Sequence, residues 1–354
     1  MTEPSLSDFA ASQQGPRPLP LFLALLRSET ATSPDRRAAA LAGLRAFQRA
    51  PRAPALPFPN AVASSGRAAL RDYGGTGRPV VFVPSLINPP QVLDLAPQTS
   101  LLRWLSRQGV RPLLVDWGTP DPAERSLDVT GHVEQLLLPL LETIEEPPVL
   151  VGYCLGGTLA IAAASARPVA GLVTIAAPWH FAGYADALTP ISALWDEAYP
   201  LCERLGLVPM EVLQAGFWQL DPARTVAKFE RFSTLSPDSE QARAFVALED
   251  WANGGAPLTF GAGRQLFDDF FAADLPGTGR WQVAGRAVVP DDLPCPTLSF
   301  VSTTDRIVPA ASAPDFGERR DLSLGHVGMI VGSRARAALW QPLADWLTAL
   351  PHTR

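Results

Sequence analysis

The sequence predicts an α/β protein with a mostly parallel, doubly wound sheet into which a helical cap is inserted. Short apolar runs typical of buried strands alternate with longer segments whose apolar residues recur at helical spacing. The alternation stops between about residues 183 and 285 and resumes near the C-terminus. Because an interruption of this length is too long for a plain loop, we expect it to form a subdomain of its own.

The elements of the sheet follow one another along the chain as strand, helix and strand. We expect strands at 79–83, 112–115, 149–152, 169–176, 297–302 and 320–324. We expect helices at 101–108, 129–144, 155–166 and 334–350. Strands joined through helices in this way pair in parallel, with helices on both faces of the sheet.

The N-terminal part precedes this pattern and has a different character. Two helices are expected between 19 and 49, and the second begins where Ser33 can serve as N-cap and Pro34 as first helical residue. Residues 51–60 are rich in proline and predict an extended connector. The expected division is an N-terminal segment (1–75), a core in two parts (76–182 and 286–354) and a cap (183–285).

The cap segment is unusually aromatic. It holds 14 of the 29 aromatic residues of the chain within 103 of its 354 residues. These side chains can fill the core of the cap itself, and some of them can also line an apolar channel to a site. The sequence leaves both interpretations open.

Composition and charge exclude several classes of protein. Hydrophobic residues make up 47% and charged residues 18%, which is typical of a globular chain and not of a disordered one. The net charge of −6, without a long basic run, argues against a nucleic-acid partner. We expect neither a transmembrane segment nor a signal peptide, since no apolar run is long enough and the N-terminus is acidic. Three cysteines predict a reducing compartment, the cytoplasm, and no disulfide framework.

The most specific local pattern lies between the strand at 149–152 and the helix at 155–166. It reads GYCLG at 152–156, a G-x-C-x-G form of the nucleophile elbow of the α/β-hydrolase fold. In this sharp turn the neighbours of the nucleophile must be small, and the N-terminus of the following helix favours a thiolate. Cys154 is therefore the expected nucleophile, and the amide of Leu155 is expected to donate to the oxyanion.

An acid and a histidine follow the elbow in the order that this fold uses. Asp305 comes after the next-to-last predicted strand, and His326, flanked by glycines, comes after the last. Both lie at carboxyl ends of strands, where open α/β sheets bind ligands. The loop after the first predicted strand supplies the second oxyanion donor in this fold, and position favours the amide of Leu86.

The other histidines and cysteines are expected to have ordinary roles. His132 lies in a helical pattern and His352 in the C-terminal tail, so we expect both at the surface. Cys202 lies in the cap and Cys295 precedes a proline at the start of a strand, and both are expected to be ordinary thiols.

Beyond these residues, the chain resembles the polyhydroxyalkanoate (poly-3-hydroxybutyrate) synthases, most closely the short catalytic subunit of the two-subunit (class III) type. The similar stretches occur in the order of that family. They are VPSLINPPQVLDL (83–95), SLLRWL (100–105), VDWGTPD (115–121), GYCLGGTL (152–159), LVTIAAPWHF (172–181), GRAVVPDDLPCP (285–296), TDRIVP (304–309) and GHVGMI (325–330).

The resemblance implies an acyltransferase with Cys154, Asp305 and His326 as its catalytic triad. Such an enzyme polymerises 3-hydroxyacyl groups through a Cys-linked acyl-enzyme and releases coenzyme A. The implied partners are 3-hydroxyacyl-CoA and the surface of a polyester granule, and either a homodimer or a second synthase subunit stays open. We expect no metal, and no cofactor apart from the CoA thioester that serves as substrate.

Two positions depart from the pattern of that family, and two other functions stay open. Pro89, Pro90 and Gln91 follow the Asn of the first similar stretch, where the family commonly has aromatic residues, and His180 stands where it commonly has Asp. One alternative is an α/β-hydrolase with a Cys nucleophile, a thioesterase or esterase. The other is a relative without catalysis that binds granules or a true synthase.

Overall fold

The computed structural model describes residues 15–351, which form two compact units. One unit combines the described residues up to Ala55 with Met210–Gly255, and the other combines Leu56–Pro209 with the described residues from Ala256 onward. The expected cap segment therefore contributes to both units, and its boundaries stay a prediction. His352, which is expected at the surface, lies outside the described residues.

An eight-stranded sheet forms the centre of the larger unit. Its strands are β1 (Ala61–Ser65), β2 (Ala68–Asp72), β3 (Pro79–Val83), β4 (Arg111–Asp116), β5 (Val149–Tyr153), β6 (Gly171–Ile175), β11 (Thr297–Ser302) and β12 (Glu318–Leu322). Two short ribbons pair β7 (Leu207–Val208) with β8 (Leu258–Thr259) and β9 (Gln282–Val283) with β10 (Arg286–Ala287).

The strand order in the sheet is β1-β2-β4-β3-β5-β6-β11-β12. All neighbours from β4 to β12 pair in parallel, whereas β1 and β2 add an antiparallel edge beside β4. The mostly parallel sheet predicted from the sequence is confirmed. Strands β3, β5 and β6 are buried at every residue, as expected for strands covered on both faces.

The sequence pattern did not predict β1 and β2, which form a hairpin at the edge of the sheet. Gly66 has a φ of 53° in the two-residue turn that joins β1 to β2. The two strands are rich in Ala and Ser, contain no aromatic residue and have only one β-branched residue, Val62, so they carry little of the composition that usually marks a strand. Antiparallel pairing of β2 with the edge of β4 decides their conformation, and local preference contributes little.

Helices cover the sheet and fill the connections of the larger unit. They are Leu101–Leu105, the continuous run Val129–Gly131, His132–Leu137 and Leu138–Glu142, then Leu155–Ala166, Leu188–Leu205, Phe260–Arg264 continued by Gln265–Ala272, Gly328–Val331, and Arg336–Trp340 continued by Gln341–Ala349. Short 3₁₀ turns span Pro90–Leu93, Pro122–Glu124, Phe181–Ala187, Pro290–Asp292 and Ala310–Ser312. Within residues 15–351, no helix is long and apolar enough to cross a membrane.

The expected surface position of His132 is wrong, because its side chain is buried with 2% exposed. Arg67 of the missed hairpin donates to Nε2 of His132 at 2.7 Å, and Nδ1 donates to the carbonyl of Asp128 at 2.6 Å. A guanidinium can only donate, so the ring is neutral with its proton on Nδ1. Burial, which is the largest cause, and the charge of Arg67 together lower the pKa of His132 to about 4, against the opposing effects of the hydrogen bond to the Asp128 backbone and the charge of Glu124.

The smaller unit is helical and closes around aromatic side chains. Its helices are Leu19–Glu29, Pro34–Arg49, Met210–Leu220, Pro222–Phe232 and Glu240–Ala252. Ser33 caps the second of them, as predicted. The rings of Phe22 and Phe47 meet Phe229 edge to face at 5.1 and 5.9 Å. Several aromatics of the expected cap therefore fill the core of this unit.

Candidate active site

Cys154 occupies the sharp turn between β5 and the helix Leu155–Ala166. Its backbone has φ 57° and ψ −136°, a conformation that costs a residue with a side chain roughly 1–3 kcal/mol. The amide of Cys154 donates to the carbonyl of Ile175 in β6 at 3.0 Å. The parallel sheet therefore holds the strained turn in place and presents the thiol beyond the carboxyl ends of its strands.

Glycines on both sides of Cys154 are required by close backbone contacts. A Cβ on Gly156 would clash with the carbonyl oxygen of Val83 at the end of β3. A Cβ on Gly152 would clash with the backbone of Gly157. The elbow thus packs directly against the neighbouring strand, which explains the small residues that the sequence pattern contains.

Asp305 and His326 lie at the ends of β11 and β12 and meet in a short hydrogen bond. His326 Nδ1 lies 2.6 Å from Asp305 Oδ2, and the Asp305 side chain is completely buried. The other carboxylate oxygen, Oδ1, accepts from the amides of Ile307 at 2.7 Å and Val308 at 3.1 Å. Because a carboxylate accepts, Nδ1 carries a proton and Nε2 is free for the hydrogen bond that His326 makes with Cys154.

The charges around His326 favour its protonated form. Burial by itself lowers the pKa of His326, but the negative charges of Asp305 and of a Cys154 thiolate, with hydrogen bonds to both groups, raise it to about 10. An imidazolium in this position attracts a thiolate on Cys154. The structure therefore brings the three predicted residues Cys154, Asp305 and His326 together in a connected series.

The family model that matches residues 80–341 is that of the alpha/beta hydrolase family, and these residues hold the whole site. The chain belongs to the alpha/beta hydrolase family. The α/β-hydrolase fold predicted from the elbow is confirmed.

Relatives with known names extend the comparison. The chain is 27% identical over 296 residues to poly(3-hydroxyalkanoate) polymerase subunit PhaC of Haloferax mediterranei, covering 78% of this chain and 59% of that one. It is 25% identical to PhaC of Haloarcula marismortui (76% and 60% covered) and 26% identical to PhaC of Allochromatium vinosum (76% and 80% covered). The chain spans about three fifths of the length of the first two of these relatives. The resemblance found in the sequence is confirmed.

The two backbone amides predicted to donate to an oxyanion lie in the elbow and in the loop after β3 of this alpha/beta hydrolase. Leu155 is the first residue of its helix, so its amide has no acceptor within the helix. Leu86 is buried on the loop after β3. Gly156 of the elbow lies close to the carbonyl groups of Val83 and Pro84, which precede Leu86 in the chain. Trp117 Nε1 donates to the carbonyl of Pro84 at 3.0 Å and holds this loop. Among residues 15–351, neither amide donates to a protein acceptor, and their role at an oxyanion stays a prediction.

Two tyrosines at the site were not found by the sequence reasoning. Tyr153 packs against the ring of His326. Tyr184 is buried close enough to Cys154 and Asp305 to interact electrostatically with both. Burial, followed by the negative charges of Cys154 and Asp305, raises the pKa of both phenols well above the ordinary value. Tyr184 also hydrogen-bonds Ser312. No sequence signal marks either residue, since both contacts join distant parts of the chain.

A series of aromatic contacts leads from Tyr184 through the helical part of the larger unit. Tyr184 meets Phe271 at 5.0 Å, Phe271 meets Phe267 at 5.9 Å, and Phe267 stacks on Trp195 at 4.6 Å. Beside it, the amide of His180 donates to the carbonyl of Ser312 at 3.0 Å. The site is therefore bordered by apolar rings on the side of the segment after β6.

The described residues form no metal site, and the two other cysteines lie apart from the Cys154 elbow. Within the described part of the chain, no cluster of three or more His, Cys, Asp or Glu side chains could hold a metal ion. Burial raises the pKa of Cys202 and of Cys295, which disfavours their thiolates. That both are ordinary thiols stays a prediction.

Proposed function

We propose that the protein is an acyltransferase that polymerises 3-hydroxyacyl groups from coenzyme A through an acyl-enzyme on Cys154. The observation that carries this proposal is the buried His326 ring, which is held by Asp305 at Nδ1 and lies close enough to Cys154 to interact with its thiol. The names of the relatives support a polyester as the product. The donor is a 3-hydroxyacyl-CoA, the protein works at the surface of the growing polyester granule, and no metal or further cofactor takes part.

The first step transfers the acyl group to the enzyme. The Cys154 thiolate attacks the thioester carbonyl, and the amides of Leu155 and Leu86 donate to the oxyanion that forms. The carbon–sulfur bond to coenzyme A then breaks, and the leaving thiolate takes the proton of the His326 imidazolium. The products are acyl-Cys154, coenzyme A as thiol and a neutral His326. Exchange of one thioester for another is close to thermoneutral, so the acyl group stays reactive.

The second step extends the chain. Acylation removes the negative charge of Cys154, which is one of the causes that raise the pKa of His326, so the neutral ring becomes available as a base. It takes the proton of the 3-hydroxyl of the incoming monomer or chain, whose oxygen attacks acyl-Cys154. An ester forms, the carbon–sulfur bond breaks, and the thiolate and imidazolium are restored. Asp305 holds the ring in the tautomer that this step needs.

The apolar surroundings favour an alcohol over water as the acceptor. His326 is 8% exposed, and the aromatic rings beyond Tyr184 provide an apolar border. A site that excludes water suppresses hydrolysis of the acyl-enzyme while an apolar hydroxyacyl chain can still enter.

The test supplies the full-length protein with 3-hydroxybutyryl-CoA and measures coenzyme A, free 3-hydroxybutyrate and polymer. Polymer formation that is lost in Cys154→Ala and kept in the matched thiol control Cys295→Ala supports the proposal. Coenzyme A released in equal amount with free acid would show a thioesterase and overturn it. No release and no acyl-Cys154 adduct with short or medium 3-hydroxyacyl thioesters would show a relative without catalysis.

A further inference from the structure

We propose that the aromatic ring of Tyr153 positions His326 and stabilises its imidazolium form. This inference rests on the proposed function, because it concerns the same Cys154–His326 pair. The centroids of the two rings lie 5.1 Å apart and their planes differ by 30°, so the rings are stacked. Both residues are buried, with 3% of Tyr153 and 8% of His326 exposed.

The three neighbours of His326 use different parts of its ring. Asp305 occupies Nδ1 and Cys154 the other nitrogen, both at the ring edge. Tyr153 covers a face. In the proposed reaction protons are exchanged at Nε2, Asp305 holds the proton on Nδ1, and the face contact takes part in no proton transfer, so Tyr153 is a positioning residue and not a catalytic one.

The two glycines beside His326 bring no side chain against its ring. A Cβ on Gly325 or Gly328 would meet nothing within 4 Å, so there is open space on that side of each glycine. The hydroxyl of Tyr153 donates to the carbonyl of His326 at 3.4 Å, which is long for a hydrogen bond between oxygens and therefore weak. The stacked ring is the stronger of the two contacts.

The electrostatics of the stack favour the charged histidine. The face of an aromatic ring carries a negative quadrupole that attracts a cation within about 6 Å of the centroid, more strongly where water is excluded. Tyr153 itself stays neutral, since burial and the charges of Cys154 and Asp305 raise its pKa well above the ordinary value. The titratable groups that face His326 are thus Asp305, Cys154 and this neutral phenol. The stacked ring stabilises the imidazolium of His326, and the imidazolium in turn stabilises a thiolate on Cys154.

The test compares Tyr153→Phe, which keeps the ring, with Tyr153→Leu, which removes it. The rate of Cys154 alkylation by iodoacetamide is measured against pH in the full-length protein. We expect Tyr153→Phe to keep the wild-type profile. In Tyr153→Leu the inflection at high pH, where His326 loses its proton, should move down by about one pH unit. Thermal unfolding of each variant checks that it is folded.

A second series separates electrostatics from packing and applies even where Tyr153→Leu fails to fold. Phenylalanine analogues with increasing numbers of ring fluorines at position 153 keep the ring shape and weaken its quadrupole. We expect the inflection to fall stepwise with the number of fluorines. An inflection that does not move across this series would overturn the inference, as would an equal shift in Tyr153→Phe and Tyr153→Leu.

Failure of this inference can be told apart from failure of the proposed function. A wild-type protein that makes polymer, with a pH profile that does not respond to position 153, overturns only the role of Tyr153. A wild-type protein that makes no polymer and forms no adduct overturns the proposed function, whatever the profile shows.

Discussion

Replacing Asp305 with Asn should stop the reaction between its two steps, and the contacts of the carboxylate show why. Two amides, from Ile307 and Val308, point at Oδ1, so the oxygen of an Asn side chain must stay there. Its NH₂ group then takes the place of Oδ2 and faces Nδ1 of His326, which lies 2.6 Å from Oδ2 in the wild type. Two donors cannot face one another, so Nδ1 must accept and the proton moves to Nε2.

The wrong tautomer removes the base of the second step. With its proton on Nε2, His326 cannot take the proton of an alcohol, and the charge of Asp305 that favours the imidazolium is also lost. The same change in a serine triad lowers kcat by about 10⁴-fold with the geometry intact, which corresponds to about 5.5 kcal/mol. We expect chain extension to slow by 10³–10⁴-fold. The first acylation should survive at a reduced rate, because a thiol at a helix N-terminus ionises without the carboxylate.

The assay is a single addition of excess 3-hydroxybutyryl-CoA to Asp305→Asn. We expect about one coenzyme A per active site and an acyl-Cys154 adduct in intact-protein mass spectrometry. Cys154→Ala should release none, and Asp121→Asn, the same chemical change at a helix cap, should behave as wild type. Turnover like wild type in Asp305→Asn would show that Asp305 is not the triad acid. The absence of any adduct would refute the division of labour between the two steps.

Three further predictions concern stability and the elbow. The pKa of His132 is lowered to about 4 in the folded protein, against about 6.5 in the unfolded chain. The contribution of neutral His132 to the free energy of unfolding is therefore complete above pH 6.5 and is lost as the pH falls towards 4. In urea unfolding, His132 should contribute about 3 kcal/mol less to the free energy of unfolding near pH 4 than above pH 6.5. The same pH dependence in wild type and His132→Gln would contradict this. Gly156→Ala should lower the rate of polymerisation about 10²-fold or more because its Cβ clashes at the end of β3, whereas Gly328→Ala, with open space around it, should not. Phe229→Ala should cost about 3–5 kcal/mol in urea unfolding, since the side chain is completely buried, and a loss below about 1 kcal/mol would be incompatible with this core.

Much of the fold could be predicted because its signals are local. The strands Pro79–Val83 and Thr297–Ser302 and the helix Leu155–Ala166 begin and end in the structure where the sequence predicts them. Buried strands of a parallel sheet are continuous apolar runs, and helices show apolar residues at their own spacing. The elbow is equally local, because its glycines and its cysteine lie within five residues of one another.

The sequence by itself therefore determined the parallel strands and the helices between them, the elbow and the identity of the candidate nucleophile, acid and histidine. Tertiary structure alone decided the order of the strands, the edge hairpin, the burial of His132 against Arg67 and the stacking of Tyr153 on His326. It also decided that Met210–Gly255 joins the N-terminal helices in one unit. These features join residues that are far apart in the chain, and their free energy comes from burial, charge and packing that exist only after the elements have come together.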